Sequence, residues 1–168
     1  MNQMLQIGYF SSAVGPQSGS VVHEILTIGR RNNLRDGITG FLVAAGNRYL
    51  QVIEGPDRPM RALYGKIVSD DRHLAVAKFL ERHVSERSFG SWSLAFRRPL
   101  AVGEHDNFPG LLRALTADVS DSQLKRQIAY FAQTAVEIHE AETGCGNGTL
   151  WVADRPGQHT RGHAFAAA

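Results

Sequence analysis

A small set of polar side chains lies where a folded chain would be expected to place apolar ones. Tyr9 and Ser11 lie two residues apart in a run typical of a strand, so they share one face. Gln51 interrupts an apolar strand, and Asn32 and Asn33 lie at the end of a helical pattern. Phenol and amide groups both donate and accept hydrogen bonds. Tyr9 and Gln51 would therefore bond each other if their strands were neighbours, and a heteroaromatic ligand with an N–C=O edge would complete the network. The alternative is a polar network that satisfies only itself, and residue types alone do not decide between the two.

The elements that must position these side chains follow from periodicity and turn signals. Helices are predicted from Ser20 to about Asn32, and from an Asp57 cap to about Ser69. Strands are predicted over residues 4–11, 38–45, 48–54, 74–84 and 91–98. The order β-α-β-β-α-β-β is that of an α+β, ferredoxin-like fold with an extra strand, in which two helices lie on one face of the sheet.

The last part of the sequence is predicted to add helices to this sheet. Pro109–Leu115 is a short helix, and a longer one runs from a cap at Asp118 or Ser120 to about Glu142. The apolar stripe of the longer helix would cover the bare face of its own sheet or pair with a second copy of the chain. The chain is thus divided into a first domain, a two-helix extension and a flexible tail, at residues 1–98, 99–142 and 143–168.

Composition excludes several functional classes. The 168 residues are 43% hydrophobic and 20% charged, as in a soluble globular protein. The single cysteine, Cys145, excludes an internal disulfide and a multi-cysteine metal cage. A net charge of +2 gives no argument for nucleic acid. The sequence has neither a signal-peptide pattern nor about 20 consecutive apolar residues, so we expect a cytoplasmic protein without a membrane partner.

Three further features of the sequence bear on other functions. Cys145, His159 and His163 lack a fourth ligand, so no metal site is predicted. An acylphosphatase-type hydrolase on the same fold would need an arginine in a phosphate-cradling loop after the first strand, and that loop has none. An RNA-binding module would stack bases on Tyr9 and Phe10, but these strands carry no dense basic strip. We therefore expect no catalytic residues and no nucleic-acid partner.

Six short motifs follow one another along residues 4–98. They are Tyr9-Phe-Ser11, Arg31-Asn32-Asn33, Gly37-Ile-Thr-Gly-Phe-Leu42, Tyr49-Leu-Gln51-Val-Ile-Glu54-Gly55, Ile67-Val-Ser-Asp70-Asp-Arg72-His73 and Arg87-Ser-Phe89-Gly-Ser-Trp92-Ser-Leu94. In order and spacing this set resembles the BLUF domain, a blue-light sensor that uses flavin. Any one motif is weak, but together they are specific, and the predicted element order agrees with them independently.

The resemblance implies a non-covalently bound FAD whose isoalloxazine ring lies between the two helices of the first domain. On this basis Ile25 and Ile67 flank the ring, and Asn33, with Asn32 nearby, bonds its polar edge. The end of the second helix would contact the C2 carbonyl side of the ring or the phosphates. The rest of the implied flavin-binding set is Ser11 and Gln51 on the strands, and Lys66, Asp70, Arg72 and His73 at the end of the second helix.

The resemblance also implies a light-driven switch without catalysis. After blue light is absorbed, Tyr9 would give up an electron and a proton through Gln51, and the resulting radical pair would then recombine. Gln51 would end rotated or tautomerised, with a stronger hydrogen bond to the flavin C4 carbonyl. Output is expected through Trp92 and Leu94 on the last strand, where many members carry Trp-x-Met; leucine, unlike methionine, cannot accept a hydrogen bond. The signal would pass to a downstream partner protein or through a change in assembly.

Overall fold

The computed structural model describes residues 3–15, 19–90, 94–97, 108–117 and 119–142. The predicted β-α-β-β-α-β-β order of the first domain is confirmed, and two helices follow it. The strands are β1 (Met4–Ala13), β2 (Thr39–Ala45), β3 (Arg48–Pro56), β4 (His73–Val84) and β5 (Ala95–Arg97). The helices are α1 (Gly19–Asp36), α2 (Asp57–Val68), α3 (Phe108–Leu115) and α4 (Ser122–Glu142).

The five strands form one sheet in the order β4-β1-β3-β2-β5. β1 lies between β3 and β4 and is antiparallel to both, whereas β5 runs parallel to β2 at the other edge. Because side chains alternate across a strand, each central strand contributes to both faces. The ferredoxin-like arrangement therefore places β1 and β3 side by side in the middle, which is what the pairing of Tyr9 with Gln51 requires.

Each face of the sheet has its own layer of helices. On one face, Ile7 and Ile53 pack with Met60 of α2 in a fully buried cluster. On the opposite face, Ile128 and Phe131 of α4 pack into a buried cluster with residues of β2 and β3. The sheet residues of this cluster are Phe41, Val43, Ala45, Leu50 and Val52. The described part of the apolar stripe on α4 therefore covers the sheet of its own chain.

Helix α1 ends later than the sequence analysis predicted. The two asparagines lie inside its last turns, and the helix continues to Asp36. Gly37 has a φ of +64°, and its N–H bonds the carbonyl of Leu34 at 3.4 Å. A glycine in this left-handed conformation is a common helix end, so the terminator is Gly37 and not the asparagine pair.

Two predicted helix caps are also wrong. Pro56 occupies the cap position of α2, and no side chain caps it. Asp57 lies in the first turn instead, where its carboxylate pairs with Arg61. At α4 the cap is Asp121, whose Oδ1 accepts a hydrogen bond from the N–H of Leu124 at 2.7 Å. A capping side chain accepts a hydrogen bond from the N–H two or three residues further along the chain, and Asp121 bonds the amide three residues on.

Several predicted features fall outside the residues that the structure describes. They include residues 91–93 and 98 of the predicted strand 91–98, among them Trp92. The segment 143–168, with Cys145, His159 and His163, also lies outside the described residues. Within the described residues, no three His, Cys, Asp or Glu side chains cluster as metal ligands. Among the helices described, none has the length and apolar character needed to span a membrane.

Candidate functional site

Tyr9 and Gln51 form a hydrogen-bonded pair across the two central strands. Tyr9 of β1 lies directly opposite Gln51 of β3 in the antiparallel register. The hydroxyl of Tyr9 donates a hydrogen bond to Oε1 of Gln51. Opposed residues of this kind share one face of a sheet, here the face covered by α1 and α2. This is the bond that the sequence predicts for these residues once their strands are neighbours.

The surroundings of Tyr9 keep its hydroxyl protonated. Tyr9 is 1% exposed, and its ring meets that of Tyr64 on α2 edge to face, with centroids 5.8 Å apart. Burial, with a further contribution from Tyr64, raises the pKa of the Tyr9 hydroxyl far above its ordinary value. At neutral pH the side chain is therefore a neutral donor to Gln51.

A cavity of about 240 Å³ opens beside this pair, between the sheet and the helices α1 and α2. Ile25 of α1 and Ile67 of α2 contribute aliphatic walls, and the buried polar groups of the lining include those of Tyr9, Gln51 and Asn33. Concave, mostly apolar sites with a few fixed polar groups are typical of small-molecule binding. The remaining lining residues are Leu26, Ile28, Gly29, Leu42, Tyr49, Leu63, Lys66, Asp70, Arg72 and Leu94.

Charged side chains from the end of α2 and the following turn lie at the cavity opening. Lys66 and Arg72 are exposed and Asp70 is half-buried. Arg72 donates from Nε to Oδ1 of Asp70 at 2.9 Å, and hydrogen bonding to Asp70 is the largest cause of the raised pKa of Arg72. Since these two charges neutralise each other, Lys66 supplies the net positive charge of the trio, which suits an anionic group such as a phosphate.

Most of the residues implied by the sequence motifs come together in this cavity. They are Tyr9, Ile25, Asn33, Gln51, Lys66, Ile67, Asp70, Arg72 and Leu94. Ser11 and Asn32 are not among the lining residues. Ser11 is buried on β1, and Asn32 is turned away from Asn33 because consecutive helical residues point in directions about 100° apart. The side chain of His73, at the start of β4, and the whole of Trp92 lie outside the described part of the chain.

Sequence reasoning missed several apolar residues of the cavity wall. Leu42 and Tyr49 lie on the strands beside Gln51, and Leu42 is its direct partner in the β2–β3 register. Strand alternation could have found both, because they share the face of Gln51. Gly29 carried no such signal. A Cβ atom there would lie 3.3 Å from Cδ2 of Leu94. The absence of a side chain at Gly29 therefore allows Leu94 to pack closely against α1.

Leu94 links the cavity wall to the last strand. It is 6% exposed and packs with Leu26 and Tyr49. Its main-chain carbonyl accepts a hydrogen bond from Nε of Arg30 on α1 at 3.2 Å. Because Leu94 immediately precedes β5, a change in the cavity has a direct steric route to this strand and to α1.

Comparison with protein families decides what kind of module this is. Residues 4–95 match the BLUF family, described as "Sensors of blue-light using FAD". The match covers more than half of the chain. This chain belongs to the BLUF family. The family is one of blue-light sensors that use a flavin. The alternative functions, a hydrolase or an RNA-binding module, are not supported. The structure also argues against base stacking, since Phe10 packs against Phe79 and Phe131.

Curated relatives share the BLUF part of this chain. The blue light- and temperature-regulated antirepressor BluF of Escherichia coli (strain K12) is 30% identical over 69 residues, which are 41% of this chain and 17% of that protein. The photoactivated adenylate cyclase subunit alpha of Euglena gracilis is 33% identical over 89 residues, which are 53% of this chain and 9% of that protein. The chain thus spans only a small part of the length of these relatives.

Solved BLUF structures share the fold. The dark-state structure of BlrB, a BLUF protein, aligns with a TM-score of 0.60 at 24% identity, over 82% of this chain and 98% of BlrB. Klebsiella pneumoniae BlrP1, solved with FMN and cyclic diGMP, aligns with a TM-score of 0.64 at 21% identity, over 77% of this chain and 34% of that one. At these identities the likeness shows the shared fold alone.

Proposed function

We propose that this chain binds FAD without a covalent bond in the cavity between α1 and α2, and senses blue light through Tyr9 and Gln51. The observation that carries the proposal is the buried Tyr9–Gln51 pair in the wall of an apolar cavity. A flavin ring is flat and apolar on its faces, with carbonyl and N–H groups along one edge. It supplies the absorption of blue light when bound.

The residues of the cavity fit such a ring. Ile25 and Ile67 come from different helices and would contact its two faces, while Asn33 and Gln51 would bond its polar edge. The volume of about 240 Å³ lies just below the range of about 300–1,000 Å³ typical of small-molecule sites. The ring would therefore occupy the cavity, and the remainder of a dinucleotide would extend past the opening, where Lys66 can meet a phosphate.

Within this site the protein's own contribution is a proton and hydrogen-bond switch. Tyr9 holds its proton on the hydroxyl and donates it towards Oε1 of Gln51. The amide of Gln51 has both a donor and an acceptor end, so a rotated or tautomerised amide would exchange partners between Tyr9 and the ligand edge. No bond is made or broken overall, and we propose that the chain has no catalytic activity of its own.

The output of the switch is proposed to leave the domain next to Leu94. Gln51 and Leu94 line the same cavity, so a rearranged amide or ring would press on the residue that leads into β5. We propose that the signal then reaches a downstream protein or changes the assembly of the chain, in the cytoplasm. The masses of the dark and illuminated protein, measured by light scattering, distinguish these two outputs.

The proposal is tested with the purified chain loaded with FAD. We expect a flavin absorption band that shifts to longer wavelength in blue light and recovers in the dark. Tyr9→Phe should retain bound flavin and lose the shift, because it removes the hydroxyl bonded to Gln51. Tyr64→Phe is the matched control, since it removes a neighbouring hydroxyl that has no such bond to Gln51 among the described contacts, and it should keep the shift.

Two results would contradict the proposal. One is a chain that takes up neither FAD nor FMN, even from an excess of each. The other is a Tyr9→Phe protein whose absorption still shifts in light. Chromatography of the flavin released from protein purified from cells then identifies whether FAD is the resident cofactor.

A further inference from the structure

A second buried polar cluster lies on the face of the sheet opposite the cavity. Its centre is the carboxylate of Glu54 on β3, which is 0% exposed. Nε2 of Gln6 donates to it at 2.9 Å, and the hydroxyl of Thr39 at 3.2 Å. The main-chain N–H groups of Ser88 and Phe89 donate at 3.0 and 2.8 Å. Four donors therefore satisfy a carboxylate that burial would otherwise destabilise.

This cluster is built on the same two strands as the light-sensing pair. Gln6 lies directly opposite Glu54 in the β1–β3 register, three residues along from the Tyr9–Gln51 pair. An odd spacing along a strand reverses the side-chain direction. β1 and β3 thus carry one hydrogen-bonded pair facing the cavity and another facing α3 and α4.

From Gln6 the contacts continue without interruption to the start of α4. Oε1 of Gln6 accepts hydrogen bonds from Nε and Nη2 of Arg82 at 2.9 and 2.8 Å. Arg82 forms an ion pair with Asp121. The same carboxylate caps α4 by accepting the N–H of Leu124 at 2.7 Å. Gln6 is bonded at both ends of its amide, so it cannot move without changing the contacts of Glu54 or Arg82.

A second branch of the cluster runs toward the cavity wall. Glu54 holds the main chain at Ser88 and Phe89, in the segment that precedes Leu94 and β5. The ring of Phe89 stacks on Phe41 of β2 with centroids 6.0 Å apart. Glu54 therefore connects strands β1 and β3 to two other regions. One is the segment that precedes Leu94, and the other, through Gln6, is the first turn of α4.

We propose that Gln6 and Arg82 are positioning residues that couple the Tyr9–Gln51 pair to the cap of α4. The inference rests on the proposed function. A change in the hydrogen bond between Tyr9 and Gln51 displaces β1 relative to β3, and the Gln6–Glu54 pair on these strands follows. Arg82 transmits the displacement to Asp121, so the first turn of α4 opens in light. The bistable element is this capped or uncapped turn.

The experiment is hydrogen–deuterium exchange on the full chain loaded with FAD, in darkness and under continuous blue light. In the wild type we expect light to increase exchange in the first turns of α4. Arg82→Met removes both the ion pair and the bond to Gln6. Its dark exchange there should stay close to the wild-type value, because Asp121 still caps the helix. Light should produce none of the roughly fivefold increase expected of the wild type, the factor that corresponds to the loss of a typical helix cap.

Controls separate coupling from simple stabilisation. Arg61→Met removes an arginine of a surface ion-pair network on α2 and should behave as the wild type. Asp121→Asn keeps the capping oxygen and loses the charge, so its dark exchange should stay low while the light-induced increase is lost. All these variants should retain the flavin absorption shift, because none of the substituted residues lines the cavity.

The outcomes are distinct for the two proposals. A wild-type chain without an absorption shift overturns the proposed function and the coupling that depends on it. A normal shift with no exchange difference at α4 overturns the coupling alone. The coupling is also overturned if Arg82→Met keeps the full difference between light and dark, since the contact with Asp121 would then be only structural.

Discussion

The Tyr9 hydroxyl illustrates how a single residue is made ready for its role. A buried phenol costs free energy unless it is hydrogen-bonded, and Gln51 supplies the acceptor directly across the sheet. Water is excluded, so the protonated form is strongly preferred and the pKa of Tyr9 rises. The same burial that keeps the Tyr9 hydroxyl protonated also makes folding depend on pH.

The raised pKa of Tyr9 predicts a loss of stability in alkaline solution. Below about pH 10, the ordinary value of a tyrosine, the residue is neutral in the folded and the unfolded chain. Above it the unfolded chain releases the proton while the folded chain retains it, so the free energy of unfolding falls as pH rises. In Tyr9→Phe this contribution is absent, and the decline between pH 9 and 11 should be shallower.

The measurement is urea unfolding of both proteins across this pH range. Tyr130→Phe, at a residue that is 63% exposed on α4, serves as the control and should decline as steeply as the wild type. Parallel curves for the wild type and Tyr9→Phe would mean that burial does not hold the Tyr9 proton.

At the scale of elements, β4 contains an irregularity with a measurable cost. Ala75 has a φ of +51°, a left-handed conformation that disfavours any residue with a Cβ atom. The β1–β4 register shifts at this place, between Phe10 and Ser12. The extra residue is characteristic of a β-bulge, which at an edge strand interrupts the regular ladder.

We predict that Ala75→Gly stabilises the protein, because glycine removes the steric penalty of this backbone conformation. The gain should be about 0.5–1 kcal/mol, since part of the penalty of about 1–2 kcal/mol is offset by the greater freedom of glycine in the unfolded chain. Ala77→Gly, at a neighbouring position without a positive φ, should instead lose about 0.5–1 kcal/mol. Chemical unfolding measures both, and a loss at Ala75 equal to that at Ala77 would contradict the prediction.

The same scale shows how far the sequence specifies the structure. Alternation and helical spacing predicted every element of the sensor in order. The motifs implied that Tyr9, Gln51 and Asn33 lie around one ligand, and all three line the same cavity. The end of α1 was misplaced because asparagine favours helix ends in general, whereas Gly37 has the conformation that ends this one. The cap of α4 was misplaced because Asp118, Ser120 and Asp121 are all suitable cap residues, and only three-dimensional contacts select among them.

The Glu54 cluster lay beyond sequence reasoning for a different reason. Gln6 contacts Arg82 from 76 positions away, and the partners of Glu54 come from three separate segments. A single glutamate within an apolar strand gives no sequence pattern from which its hydrogen-bond donors could be predicted. Only the register of β1 with β3, together with the path of the segment before β5, brings these groups together.

At the scale of the whole molecule, the helices after the sensor complete its core. An apolar stripe indicates that a helix is covered, but not by what, so the sequence left self-association and self-covering open. In the structure Leu124, Ile128 and Phe131 pack against the sheet that also carries Tyr9 and Gln51. A chain whose sensor and extension share one hydrophobic cluster should unfold as a single cooperative unit.

Two adjacent residues of α4 test this arrangement. Phe131 is 2% exposed and Tyr130 is 63% exposed. One aromatic side chain of this turn is therefore buried, and its neighbour lies at the surface. We expect Phe131→Ala to lower the free energy of unfolding by about 3–5 kcal/mol, the cost of removing a fully buried aromatic ring. Tyr130→Ala should change it by about 0.5 kcal/mol or less, as exposed substitutions do.

Unfolding followed by both the flavin absorption and the helical circular dichroism gives the deciding comparison. If α4 belongs to the core of its own chain, Phe131→Ala should shift both signals together to lower denaturant, with the molecular mass unchanged. If the stripe instead pairs with another copy, Phe131→Ala should lower the mass measured by light scattering, and the sensor would keep its stability. Only the first result agrees with a sheet that carries the Tyr9–Gln51 pair on one face and the extension on the other.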